Sequence, residues 1–340
     1  MLVKRAGAVC AVITAAVVLL TAAGTRAERV RATAAGQPVV GVVFHGTWSS
    51  YTPHDRTVIL DRLRAAGVRW VRLDLGWRSF QEQRRGAFST WYVRLADRVV
   101  DKCRARGIRV LAVVHMTPAW ANGGEAASVP PRDPADFARF ARWAGRHFRG
   151  RVAGWEVWNE PDPGGPFWSG NVQEYVRLLR AGYAGFKAGD PKVPVLLAAS
   201  VHDPVGFLEA AYGAGAKGSF DAVALHPYTG SVSPTAGGSS FVRAAAAQRL
   251  MIEHGDEKPI WFTEFGWSTA DVGRRLQAAY LAEAIRYTRR RLPFVTHMFW
   301  YTDRDRTDST PFENGFGLLD ARLQPKPAYF ALADLLHAAK

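Results

Sequence analysis

Two glutamates carry the strongest chemical signal in this sequence. Glu160 closes the run Gly154-Trp155-Glu156-Val157-Trp158-Asn159-Glu160-Pro161, and Glu264 sits inside Phe262-Thr263-Glu264-Phe265-Gly266-Trp267. Each ends a short apolar stretch rich in β-formers, so each carboxyl stands at a strand end rather than on a solvated helix face. Two carboxyl groups flanking one bond are what glycoside cleavage requires. About 5–5.5 Å apart, one attacks the sugar carbon and the other serves as acid and then as base. The plainer reading, two strand-end glutamates in ion pairs, suits one such residue better than two in these aromatic settings.

The elements that must bring the pair together alternate strictly. Strand candidates are Val39–His45, Val68–Leu75, Ile108–His115, Val152–Asn159, Val195–Val201, Ala222–Pro227, Ile260–Phe265 and Val295–Tyr301. Each is continuously apolar, as parallel strands covered on both faces are. Helical patterns separate them, at His54–Ala66, Trp91–Arg106, Pro134–Phe148, Val172–Ala188, Phe207–Ala214, Phe241–His254 and Val272–Arg291, and Pro327–Ala339 closes the chain. Asp133-Pro134 and Asp203-Pro204 are N-cap and N1 pairs, and Gly67, Gly107, Gly150 and Gly255 stand where helices should stop. The expected fold is α/β, a single (β/α)8 TIM barrel over 38–340; an open doubly wound sheet is the alternative, without a glycine-rich fingerprint after the first strand. The long connections, Asn122–Arg132, Pro161–Gly170, Thr229–Ser240 and Thr302–Gly317, all follow strands. In a barrel they gather at the face where active sites are built.

On these residues the sequence resembles clan A of the retaining glycoside hydrolases, in particular family 39 and family 5-like members. Asn159-Glu160 after strand four and Glu264 after strand seven match that pattern in residue type, order and strand number, and the likeness spans essentially the whole chain after its leader. The resemblance implies Glu160 as acid/base, Glu264 as nucleophile and Asn159 on the sugar 2-hydroxyl. Arg72, in Val71-Arg72-Leu73-Asp74, matches the clan arginine that steadies the nucleophile; a cation there keeps Glu264 ionised, although an ion pair with Asp74 is the alternative. His226-Pro227-Tyr228 resembles the His-x-Tyr element of family 5-like enzymes, whose tyrosine hydrogen-bonds the nucleophile. Trp300 resembles the aromatic floor of the sugar subsite. His115, ending strand three, either lines the site or is a satisfied structural histidine, and His45 is a lesser candidate. Trp48, Trp77, Trp120, Trp168 and Trp267 follow strands, and about half should touch sugar. Glu313–Asp320 and Pro325–Tyr329 resemble the end of family 39 chains. An apolar neighbour such as Trp158 is expected to favour the protonated form of Glu160.

The start of the chain is read separately. Lys4 and Arg5 precede an apolar run from Ala6 to Ala23, and Thr25-Arg26-Ala27 offers small residues for a signal peptidase. A signal peptide over 1–27 and a short lead over 28–37 are expected, hence a secreted protein; the alternative is an uncleaved anchor facing outside. Cleavage leaves Cys103 as the remaining cysteine, an inert helical residue without a disulfide partner. The net charge of +14 is mostly arginine along helices, read as solvated outer faces, with attraction to an acidic polysaccharide or envelope as the alternative.

No Gly-x-Ser-x-Gly elbow, phosphate loop, His-Glu-x-x-His or metal-spaced Cys/His cluster occurs. Asp303, Asp305 and Asp308 lack the glycine and glutamate of a calcium loop and read as a solvated acidic loop. No cofactor, metal, nucleic acid or obligate protein partner is expected, and a monomer is. The expectation is a retaining O-glycoside hydrolase acting on an extracellular or cell-wall carbohydrate polymer or oligosaccharide, endo-acting, by double displacement. The alternatives are a catalytically silent polysaccharide-binding barrel and a transglycosylase.

Overall fold

Among the described residues every strand is parallel to its neighbours, and the eighth pairs with the first. The computed structural model describes residues 37–338 apart from 199, so the expected leader and lead lie outside the described residues save for Gln37. The strands are β1 (Val39–Val43), β2 (Trp70–Asp74), β3 (Arg109–Val114), β4 (Gly154–Val157), β5 (Val195–Leu197), β6 (Ala222–Leu225), β7 (Ile260–Phe265) and β8 (Val295–Trp300). They close into one barrel in sequence order. The principal helices are α1 (Pro53–Ala65), α3 (Thr90–Ala105), α5 (Pro134–His147), α6 (Val172–Gly189), α7 (Pro204–Gly213), α8 (Ser240–Glu253), α9 (Thr269–Arg291) and α11 (Pro327–His337). Three single-turn helices, α2 (Trp77–Phe80), α4 (Ala119–Asn122) and α10 (Pro311–Asn314), fall in the loops after strands, too short for any helical period to register in the sequence.

The caps stand where the sequence puts them. Asp133 accepts from Ala135 N and Asp203 from Gly206 N, each followed by proline at the first helical position. Gly67, Gly107, Gly150 and Gly255 all take positive φ, the left-handed turn that ends a helix without a Cβ clash. Cys103 is fully buried and free, and burial pushes its thiol up to about 12, which suits an inert side chain.

Alternation along the strands sorts the side chains into two layers. Val71, Leu73, Trp155, Val157, Phe262, Met298 and Trp300 face outward into the apolar layer beneath the helices. Val43, Trp70, Leu111, Ala222, Ala224, Trp261 and Phe299 face inward and plug the lower barrel. His297 stacks on Trp261 at 3.6 Å, and Gly41 leaves room for the Phe299 ring, which a Cβ there would meet at 2.7 Å. Below the mouth the interior is therefore packed solid, and the polar residues of β2, β4 and β7, with His226 just past β6, sit above an apolar floor.

The segment after β8 departs from the expected solvated acidic loop. Asp303 is fully buried and accepts from Tyr51 Oη at 2.7 Å. Asp305 accepts from buried Lys326 at 2.7 Å and from Gly317 N at 2.8 Å. Only Asp308 is exposed, paired with Arg306 at 2.9 Å. These carboxylates tie the last loop to the β1–α1 connection and to the N-cap of α11, a tertiary use that local spacing cannot reveal.

Candidate active site

The site begins one layer above the aromatic plug. Arg72, inward-facing on β2 and fully buried, spends its guanidinium on three partners. Nε donates to Glu156 Oε2 at 2.7 Å, Nη1 to Glu264 Oε1 at 2.5 Å, and Nη2 to Asn159 Oδ1 at 2.7 Å. Arginine only donates, so Asn159 must present its carbonyl oxygen to Arg72, and its amide N–H groups are left for the cleft it lines. Burial would lower the Arg72 pKa, but the Glu156 and Glu264 carboxylates outweigh it and hold the cation charged.

Glu264 reaches the mouth through an irregularity in β7. Phe262 pairs with Met298 and Phe265 with Trp300, three residues advancing against two. This bulge lets Thr263 and Glu264, adjacent in sequence, both point inward, which a regular pleat forbids. Glu264 Oε2 then accepts from Tyr228 Oη at 2.7 Å. Burial alone would raise the Glu264 pKa; His226, Arg72 and the Tyr228 hydrogen bond together outweigh it and lower it. A buried carboxylate that stays ionised, with both oxygens aimed by donors, has the properties of a nucleophile.

Glu160 lies just past β4, where the backbone leaves the sheet sharply. Trp158 and Glu160 have φ of 78° and 46°, left-handed values that side chains rarely adopt, so the turn at Asn159 is strained at the point where it delivers both polar residues to the mouth. Trp158 packs edge-on against Trp168 and donates to Phe167 O, and the polar partner of Glu160 is His226, whose Nδ1 lies 2.8 Å from Oε1. An oxygen of Glu160, a nitrogen of His226 and an oxygen of Glu264 lie within 4.8 Å of one another. That spacing would also suit a metal ion, but the Arg72 guanidinium and Tyr228 hydroxyl already occupy Glu264, and a divalent cation would sit against the arginine. The donor set fits acid–base chemistry better than metal binding.

A second polar group occupies the β1–β3 side of the mouth. Asp74 accepts from Trp48 Nε1 at 3.0 Å and faces His45 Nδ1 at 2.9 Å and His115 Nε2 at 4.0 Å. Burial would raise the Asp74 pKa, but its bond to His45 and the charges of His45, His115 and Arg72 hold it well below the usual range. Burial lowers that of His115. His115 thus lines the cleft while also packing on a structural carboxylate.

The cleft measures about 1000 Å3. Of the aromatic candidates, Trp48 and Trp267 line it, whereas Trp77, Trp120 and Trp168 do not. Trp300 does not line it either. It is 0% exposed, outward-facing on β8, and donates to Phe316 O behind the site. Period-two alternation turns the next residue inward, so Tyr301 takes the place expected of Trp300, in the cleft and edge-on to Tyr228. Residues with no assigned role in the sequence also emerge: Glu156 and Thr263 below the mouth, and Trp91, Phe167 and Phe312 on its rim. Glu156 had a signal, being an acid inside an otherwise apolar buried strand. The rim residues had none, because exposure beside the cleft is a tertiary property.

With this geometry in place, likeness to known proteins is informative. Residues 32–304 match the family described as Cellulase (glycosyl hydrolase family 5). A beta-xylosidase from Caldicellulosiruptor saccharolyticus is 25% identical over 240 residues, covering 62% of this chain and 48% of its own. A family 39 glycoside hydrolase from Bacteroides cellulosilyticus superposes with a TM-score of 0.73 at 24% identity, over 88% of this chain and 64% of that one. A monomeric beta-xylosidase from Caulobacter crescentus superposes with a TM-score of 0.69 at 19% identity, over 88% and 69%. These two structures show the barrel, and the chain spans about half the length of the curated relative. The family match covers most of the chain, from before β1 into the loop after β8, and includes both strand-end glutamates: the chain belongs to glycosyl hydrolase family 5.

Proposed function

We propose that this chain is a retaining O-glycoside hydrolase in which Glu160 is the acid/base and Glu264 the nucleophile. The observation that carries this reading is the approach of their carboxyl oxygens to within 4.8 Å. Inverting enzymes keep their carboxyl groups about 6.5–9.5 Å apart to admit a water, whereas about 5–5.5 Å suits direct attack. Glu160 donates its proton to the leaving oxygen while Glu264 attacks the anomeric carbon. Water then opens the glycosyl-enzyme, with Glu160 taking the water's proton. Arg72 and Tyr228 hold the nucleophile charged and aimed, and the Asn159 amide faces the sugar.

The substrate we infer is a carbohydrate chain. The cleft and its exposed aromatic rim suit several sugars in line, which favours internal cleavage of a polymer. The curated relative's name makes β-xylosides the first substrates to try. An extracellular location rests on the leader over 1–27 alone. Reducing-sugar release from a polysaccharide panel, comparing wild type with Glu160→Gln and Glu264→Gln, tests the proposal. Cleavage by wild type alone supports it; binding without cleavage would move the reading to a silent polysaccharide-binding barrel, and glycosyl transfer to a second sugar to a transglycosylase.

A further inference from the structure

Below the two glutamates lies a hydrogen-bonded chain whose direction can be worked out atom by atom. Glu156, fully buried on β4, gives Oε2 to Arg72 and Oε1 to Thr263 Oγ1 at 3.0 Å. A carboxylate paired with arginine only accepts, so the single hydroxyl proton of Thr263 points at Glu156. The lone pairs of Thr263 Oγ1 then face His226 Nε2 at 3.0 Å, so Nε2 must carry a hydrogen. The other ring nitrogen, Nδ1, lies 2.8 Å from Glu160 Oε1. With Nε2 protonated, that contact is a hydrogen bond only if one more proton lies in it, either on Glu160 facing a bare Nδ1 or on Nδ1 facing the Glu160 carboxylate.

We propose that Thr263, oriented by Glu156, is a positioning residue that fixes the tautomer of His226 and so keeps one transferable proton between His226 and Glu160. The proposal rests on the reading of Glu160 as acid/base. Losing that proton leaves two acceptors facing each other at 2.8 Å, or forces the Nε2 hydrogen across to Nδ1 and strips Thr263 of its donor. Both routes cost a hydrogen bond, so the pair keeps its shared proton until a glycosidic oxygen takes it. Acting on this pair are Glu264 from β7, Arg72 from β2 and the phenol of Tyr228; Asp74 from β2, His115 from β3 and Tyr301 stand one step further off, against Glu264 or Tyr228. Burial pulls the His226 pKa down, but the Glu264 and Glu160 carboxylates outweigh it and raise it, in keeping with a proton retained on the pair. The bulge in β7 makes the chain possible, since without it Thr263 and Glu264 could not both face inward.

The test compares Thr263→Val, which keeps the shape and loses the hydroxyl, with Thr263→Ser, which keeps the hydroxyl. On a substrate that the wild type cleaves, the basic limb of kcat/KM for Thr263→Val should move to lower pH by about one unit, the size of one net hydrogen bond. Thr263→Ser should leave the limb in place. A Thr263→Val limb coinciding with wild type overturns the proposal. A second readout needs neither substrate nor variant activity: 1H–15N correlation of histidine ring nitrogens in the folded wild type, with His226 assigned by the signal lost in His226→Asn. Hydrogen on Nε2 is expected, and a neutral ring carrying hydrogen on Nδ1 alone overturns the proposal. If wild type cleaves nothing, the enzymatic reading fails while the ring tautomer still decides the relay, so the two failures are distinguishable.

Discussion

Arg72 Nη1 and Glu264 Oε1 meet at 2.5 Å inside the barrel mouth, although β2 and β7 are not neighbours in the sheet. The contact has a consequence for pH. The Glu264 pKa is lowered from its ordinary 4.5, because His226, Arg72 and Tyr228 outweigh burial. The acid limb of kcat/KM, where the nucleophile takes up a proton, is therefore expected below 4.5. Tyr228→Phe removes one donor to Glu264, so its acid limb should move upward by about one unit, with kcat/KM falling roughly 10- to 100-fold. A pH-rate profile of the two proteins checks both, and an unchanged acid limb would mean the phenol does not tune the nucleophile.

Asp74 links the same cation to acid stability. Its folded pKa lies below the ordinary 3.8, held down against burial by His45, His115 and Arg72. A depressed carboxyl contributes stability that is present above its unfolded pKa and lost as pH falls through the folded value. Asp74→Asn should be less stable than wild type at pH 6 by about 1–3 kcal/mol, with the gap narrowing as pH falls below about 4. Urea melts at a series of pH values measure this directly; a gap constant with pH would assign Asp74 a packing role only.

Trp300 and Tyr301 are adjacent yet should behave as opposites. Trp300→Ala opens a cavity behind the strand and should cost about 3–5 kcal/mol, while kcat per folded molecule changes little. Tyr301→Ala should cost less stability and should raise KM or lower kcat, because its ring faces the cleft. Denaturation midpoints read beside kinetics separate the two. Lost sugar binding in a fully stable Trp300→Ala would contradict the placement of that indole.

Trp91, 64% exposed at the start of α3, has no packing reason to be large. Trp91→Ala should leave stability within about 0.5 kcal/mol of wild type. KM for long chains should rise about 3- to 10-fold, with short substrates unaffected. Equal losses on short and long substrates would remove Trp91 from the rim of the binding surface.

How much of this could be read in advance differs by residue. Eight apolar runs, their caps and their stop glycines gave the barrel and its order, because strand and helix periods are local. Glu160 and Glu264 were legible because strand-end carboxylates in aromatic settings are chemically conspicuous. Trp300 was misplaced by one position, since the resemblance names an aromatic at the end of strand eight and only the pleat decides which of Trp300 and Tyr301 faces in. Thr263 was invisible because its inward aim depends on the bulge in β7. The acidic loop failed for the same reason in reverse: Lys326 and Tyr51, far away in sequence, turn Asp305 and Asp303 into buried ties.

The most direct measurement is the anomeric configuration of the first sugar released, followed by 1H NMR before mutarotation scrambles it. Glu160 and Glu264, with oxygens within 4.8 Å, predict that the product first appears with the anomeric configuration of the substrate. First appearance of the opposite anomer would contradict direct attack by Glu264, and with it the account of the site.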